Sequence, residues 1–190
     1  GSAGSSNASA LGFGGGKSTN RALTESWDGS SWTEVGDLNT ARNRLAGAGT
    51  STAGLGFGGR VPPANFQDIT ESWNGSSWTE VGDLNETKRD LASAGTQTAA
   101  LAFGGLSNPP PQTTVNTESW NGSAWTEVNN LNTTRYALAG AGTQTSALAF
   151  GGYTPDSLAE TESWNGTSWT DVADINTARY QAGGVGSNNT

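Results

Sequence analysis

The chain contains no cysteine, no histidine and no methionine among its 190 residues. Without them it has no disulfide, no thiolate nucleophile and no histidine general base, and no Cys/His zinc set or haem or copper ligation by those side chains. No cofactor and no metal is therefore expected. Bulky apolar residues are scarce at 33%, but replacing tyrosine by glycine in that sum gives about 46%, within the ordinary globular range. The chain can fold, with little side-chain bulk per residue. Positive charge is also scarce, nine basic against 17 acidic residues, a net of −8. Such a balance repels nucleic acid and anionic lipid, so neither is expected as a partner. No run approaches the ~18 apolar residues of a membrane span, so no membrane insertion is expected. No basic-then-apolar leader is visible at the N-terminal end either.

What is abundant is glycine, 28 residues, and tryptophan, eight. The tryptophans fall into four pairs, each five residues apart: Trp27/Trp32, Trp73/Trp78, Trp120/Trp125 and Trp164/Trp169. Anchored on the preceding threonines, Thr24, Thr70, Thr117 and Thr161, the units repeat after 46, 47 and 44 residues. That is the period of propeller blades. Each unit reads TESW, an Asn-Gly or Asp-Gly turn, a WTEV-like stretch, a basic position, a Gly/Ala/Thr run and an apolar stretch ending in Gly-Gly. TESW and its successor flank turn residues that tolerate positive φ, which predicts a β-hairpin. The alternation in Ala147 to Phe150 puts Leu148 and Phe150 on one face of a further strand. Four short strands per unit follow: glycine-rich, Leu/Phe, Trp-ending and Trp-beginning. One such sheet cannot bury both faces alone, so the units must stack.

From Thr24, Thr70 and Thr117 to the phenylalanine of the following unit the distance is 33 residues each time. Only the loop after Gly-Gly varies in length, and all six prolines, Pro62, Pro63, Pro109, Pro110, Pro111 and Pro155, lie there. Approximate repeats are 10–52, 53–98, 99–145 and 146–190 within one domain, 1–190. Residues 1–8 read as a spare innermost-type strand or a frayed end, since residues 182–189 align with the same strand.

These features resemble the kelch repeat: an apolar strand ending in Gly-Gly, a variable loop, a strand ending in an aromatic, a turn, a Trp and then a basic residue. Here the places are held by Gly104-Gly105, Trp120, Trp125 and Arg135, with Gly58-Gly59, Trp73, Trp78 and Lys88 one unit earlier. A Trp stands where kelch repeats usually have Tyr, and Lys88 where they have Arg. The phrasing TESWNGSSWTEVGDLN, repeated with small changes, is also similar to kelch-like arrays in tail-fibre and other virion proteins of aquatic bacteriophages. The resemblance implies an all-β, four-bladed kelch-like β-propeller of four-stranded antiparallel blades, its ring closed by a terminal strand. The copper chemistry of galactose-oxidase-type members of that fold needs histidine and a Cys-Tyr cross-link, which this chain cannot provide.

Each candidate residue has a structural role to set beside a chemical one. Glu25, Glu71, Glu118 and Glu162 recur once per unit, and structural polar contacts suit them better than an acid–base pair, whose carboxylates must stand only about 5 to 5.5 Å apart in a retaining glycosidase. Arg42, Lys88, Arg135 and Arg179 also recur, and several donors per side chain suit them to anchoring carbonyls at strand ends. The eight tryptophans suit packing between units, each burying about 150–250 Å². The variable loops are left as the binding surface, with Arg60, Phe66, Asp68, Leu106, Tyr153 and Asp156 as candidates, because equivalent loops of all blades emerge on one face. The expected protein is not an enzyme. It is an extracellular or virion-surface binding or structural module, its partner a cell-surface glycan or protein; the alternative is copies of itself, joined into a filament or oligomer by exchange of a terminal strand.

Overall fold

The computed structural model describes the chain except for Lys17, Ser18, Asn20, Ala64, Pro109, Pro110, Pro111 and residues 187–190. The prolines of the third variable loop and the last part of the C-terminal strand-like stretch thus lie outside the described residues. The described structure is all-β and contains no helix. The first sheet is β1 (Ser2–Ser6), β2 (Ser9–Phe13), β3 (Thr24–Trp27) and β4 (Trp32–Glu34). The second contains β5 (Ala46–Gly49), β6 (Gly54–Phe57), β9 (Thr70–Trp73) and β10 (Trp78–Glu80), with the ribbon of β7 (Arg60–Val61) and β8 (Asn65–Phe66) set into its loop. The third is β12 (Ala92–Gly95), β13 (Ala100–Phe103), β16 (Thr117–Trp120) and β17 (Trp125–Val128); β11 (Lys88–Arg89) pairs with β14 (Leu106–Ser107) and β15 (Gln112–Thr113) in a small sheet beside it. The fourth is β18 (Ala139–Thr143), β19 (Ser146–Phe150), β20 (Thr161–Trp164) and β21 (Trp169–Val172).

All pairings are antiparallel, and each four-stranded sheet has the order expected from the repeat, glycine-rich strand innermost and Trp-beginning strand outermost. Asn121 and Gly122 reverse the chain so that Trp120 faces Trp125, and Gly122 has φ of 95°, which a side chain would resist. Ribbons in the second and third variable loops, the latter joined by β11, add two small sheets, so the described residues form six sheets rather than four.

The sheets stack in sequence order through their inner strands, β1 on β5, β5 on β12 and β12 on β18. Small residues permit this approach. A Cβ on Gly47 would stand 2.4 Å from the Ser2 carbonyl oxygen, one on Gly140 2.4 Å from that of Ser93, and Ser93 Oγ donates to Gly47 O at 2.7 Å. The core is three layers between sheets, each apolar set drawn from two neighbours, as in Phe57, Leu84 and Leu91 with Trp120 and Trp125.

Closure by a terminal strand is not what the structure shows. Strand β1 is the innermost strand of its own sheet, with Ser2, Ala3, Gly4 and Ser6 opposite Gly12, Leu11, Ala10 and Ser9. Residues 182–186 lie against β18 instead, Gly142 N donating to Gly186 O at 3.1 Å. Among the described residues no strand pairing joins the fourth sheet to the first, and Trp32 of the first and Phe150 of the fourth are not buried as their equivalents are. The reason is local: the antiparallel hairpin β1–β2 already satisfies the edge that a C-terminal strand would have covered.

Candidate functional site

The repeated charged and aromatic positions meet between sheets. Arg42 forms a fully buried ion pair with Glu71 of the next sheet; Lys88 Nζ lies 2.9 Å from Glu118 and Arg135 Nη2 2.9 Å from Glu162. Asn39, Asn85 and Asn132 donate backbone N–H to the same three carboxylates, at 2.6, 2.7 and 2.7 Å. Arg135 also donates to the carbonyls of Glu160 at 2.7 Å and Ala149 at 3.3 Å, the anchoring role expected of that position. Burial pulls the Arg42 and Arg135 guanidinium pKa values down, and the facing Glu71 and Glu162 charges oppose that pull. Lone charges of this kind could not stay buried, so cation and carboxylate depend on each other.

The aromatic positions interlock the same way. Phe13 lies 4.8 Å from Trp78, Phe57 4.8 Å from Trp125 and Phe103 4.9 Å from Trp169, ring centre to ring centre. The indole N–H of each of these tryptophans donates to the threonine one sheet back, Thr24, Thr70 and Thr117, at 2.9, 3.0 and 3.2 Å. Trp73, Trp120 and Trp164 are equally buried and donate to the turn carbonyls of Ser51, Gln97 and Gln144. The fourth members of these sets differ. Trp32 is 52% exposed, Trp27 and Phe150 are half-buried, and Glu25 and Arg179 are exposed.

Three of the variable loops begin in equivalent places. Each Gly-Gly pair has positive φ, 66° and 105° at Gly58 and Gly59, and turns the chain away from the second strand. The next residue then lies beside the stretch that follows the buried cation: Arg60 opposite Asn43, Leu106 opposite Arg89, and Tyr153 opposite Tyr136. Arg60 is also opposite Phe66 across β7 and β8.

Of the candidates named from sequence, Arg60, Leu106 and Tyr153 are half-buried and Asp156 is exposed. Phe66, expected as an exposed contact, is instead 6% exposed, because the β7–β8 ribbon folds back and the Arg89 guanidinium sits 4.8 Å over its ring. Asp68 is half-buried, its carbonyl accepting from Leu84 N at 3.0 Å in the turn that leads into the next sheet.

Five neighbours complete this face that the repeat pattern does not single out: Arg44, Arg89, Asp90, Tyr136 and Tyr180. Asp90 pairs with Arg89 and, at 2.9 Å, with Arg44. Burial lowers the Arg89 pKa, and the nearby Arg44 and Arg60 charges add to that, against the pull of Asp90. All three tyrosines of the chain form an edge-to-face row, Tyr136 to Tyr153 at 5.5 Å and Tyr153 to Tyr180 at 5.4 Å. The signal that could have found these residues is position: they follow the repeated cation by one or two places, where the units stop resembling one another. The face therefore combines Arg44 and Arg89 paired with Asp90, the Arg60 charge near Arg89, and an aromatic row, on a chain whose net charge is −8. Among the described residues no group of three or more acidic side chains is arranged to hold a metal ion. Compared with models of known protein families and with curated proteins, the sequence matches none.

Proposed function

We propose that the chain is a non-enzymatic binding module of an extracellular or virion surface, built from four kelch-like propeller blades. Its variable-loop face takes an acidic cell-surface glycan. The observation that carries this reading is the Arg44, Arg60 and Arg89 group beside the row Tyr136, Tyr153 and Tyr180. Planar guanidinium groups suit carboxylate or sulfate in two-point hydrogen bonds, and tyrosine rings offer flat apolar area to pyranose C–H groups while keeping a hydroxyl for polar contacts. Three of the four repeated carboxylates are committed to buried ion pairs, which supports a binding role over an acid–base one. Arg60 and Phe66 are paired across β7 and β8 and the tyrosines pack ring on ring, so little ordering entropy is lost on contact.

A glycan array probed with the chain tests this. Binding confined to carboxylated or sulfated glycans is expected, falling as salt rises, with Arg60→Ala and Tyr153→Ala each weakening it about tenfold or more. Absence of binding to every acidic glycan, or equal binding by both variants, would refute the assignment.

A further inference from the structure

The chain makes one composite interface three times and leaves its two halves unmated at the ends of the stack. Each interface joins a forward face to a rear face. The forward face supplies Phe, Thr, Asn and the buried cation: Phe13, Thr24, Asn39 and Arg42 in the first case. The rear face of the following sheet supplies Trp and Glu: Trp78 and Glu71. The same sets recur as Phe57, Thr70, Asn85 and Lys88 against Trp125 and Glu118, and as Phe103, Thr117, Asn132 and Arg135 against Trp169 and Glu162.

The fourth sheet carries the forward set again, in Phe150, Thr161, Asn176 and Arg179, with Ile175 in the place of Leu38, Leu84 and Leu131. The first sheet carries the rear set in Glu25 and Trp32. Exposure identifies both as uncovered. Phe13, Phe57 and Phe103 are at most 2% exposed, whereas Phe150 and Leu148 are half-buried. Trp78, Trp125 and Trp169 are each 5% exposed against 52% for Trp32. Among the described residues the Arg179 side chain donates within its own segment, to Thr177 O at 3.1 Å.

We infer that the rear face of the first sheet docks on the forward face of the fourth sheet of a second copy of this chain. Trp32 then packs on Phe150 and donates to Thr161 Oγ1, while Glu25 accepts from Asn176 and pairs with Arg179. The two patches are different surfaces, so the contact is head-to-tail; repeated, it yields a closed ring of several copies or an open fibre. This route is distinct from exchange of a terminal strand. Residues 182–186 now occupy the place of the incoming inner strand, with a Cβ on Gly184 falling 2.2 Å from Gly140 O, the site that Gly140 itself takes on Ser93. Among residues 182–186 the described backbone bond to β18 is the one at Gly186 O, whereas β1 has four register partners in β2 and buries Ala3, so residues 182–186 yield and β1 stays in its sheet.

Charge reversal tests the inference without touching the core, because Glu25 and Arg179 are both exposed in the single chain. Light scattering after size exclusion, over rising concentration, is expected to show association of the native chain. Glu25→Arg and Arg179→Glu should each raise its dissociation constant about tenfold or more, and the double reversal in one chain should restore it, since every junction then has an opposite-charge pair again. A native chain that stays monomeric at every concentration overturns the proposal, whether Trp32 proves quenchable by acrylamide or shielded by closure of the stack on itself. So does association that neither reversal weakens.

Discussion

At the scale of the residue, one acid stands where three amides do the same work. The hairpin turns of the later sheets are held by Asn74, Asn121 and Asn165, each Oδ1 accepting two backbone N–H groups at 2.9 to 3.0 Å. In the first sheet the place belongs to Asp28, which accepts from Ser30 Oγ, Ser31 N and Ser30 N. Those donors, the Ser30 hydroxyl foremost, hold the Asp28 carboxyl down at about 2. Its folded value lies below that of the unfolded chain, so the stabilisation is complete above the ordinary aspartate range near 4 and is lost as pH falls through 2. A carboxyl titration followed by NMR should place the Asp28 midpoint near 2. Asp28→Asn should keep the turn and flatten the decline in stability between pH 4 and pH 2; an unchanged decline would assign it to other acids.

At the scale of the element, the segment after each repeated cation carries a device no residue type announces. Arg44, Asp90, Ala137 and Gln181 all have left-handed backbones, φ between 53° and 57°. That conformation aims each N–H back along the stack: Asp90 N donates to Arg44 O at 3.0 Å, Ala137 N to Asp90 O at 2.7 Å, and Gln181 N to Ala137 O at 2.7 Å. Four different side chains occupy the ladder, so the repeat in the sequence does not reveal it. The strands themselves were legible because their causes are local, an Asn-Gly reversal and a two-residue alternation, and the strand order followed from them. Phe66 reads as exposed in the sequence because its cover, Arg89, lies 23 residues further along the chain, beyond the Trp hairpin, and nothing in 60–69 records it. Ala137 is the ladder position where a Cβ is strained and does no polar work. Ala137→Gly should retain both ladder bonds and raise stability by about 1 kcal/mol in urea unfolding, the sign opposite to a glycine placed in an ordinary strand. A loss of stability would mean that the methyl group packs usefully, at 8% exposure, and that the left-handed backbone costs little.

At the scale of the whole molecule, the stack is nearly one-dimensional, since among the described residues the main contacts between four-stranded sheets, β1 on β5, β5 on β12 and β12 on β18, join neighbours in sequence. Stability in such an array is a sum of sheet terms and nearest-neighbour terms, and cooperativity lasts only while the neighbour terms are large. The middle junction has the weakest ionic geometry of the three: Lys88 offers one compact ammonium where Arg42 and Arg135 offer forked donors that also reach the Gly56 and Ala149 carbonyls. Glu118→Ala removes the partner of that buried ammonium and two contacts of Asn85, and breaking a pair of this kind costs ~3–5 kcal/mol. The loss falls on a single junction while those on either side stay whole. Unfolding should therefore separate into two steps in urea, with hydrogen exchange in the variant accelerated on both sides of the second-to-third junction rather than at the ends alone. Lys88→Met combined with Glu118→Leu fills the same volume with apolar groups, leaves no charge buried and should bring back a single transition. If Glu118→Ala instead shifts one cooperative transition to lower urea without splitting it, the inner strands β5 and β12 couple the halves without the ion pair, and the small-residue packing around Gly47 and Ser93 becomes the dominant junction term.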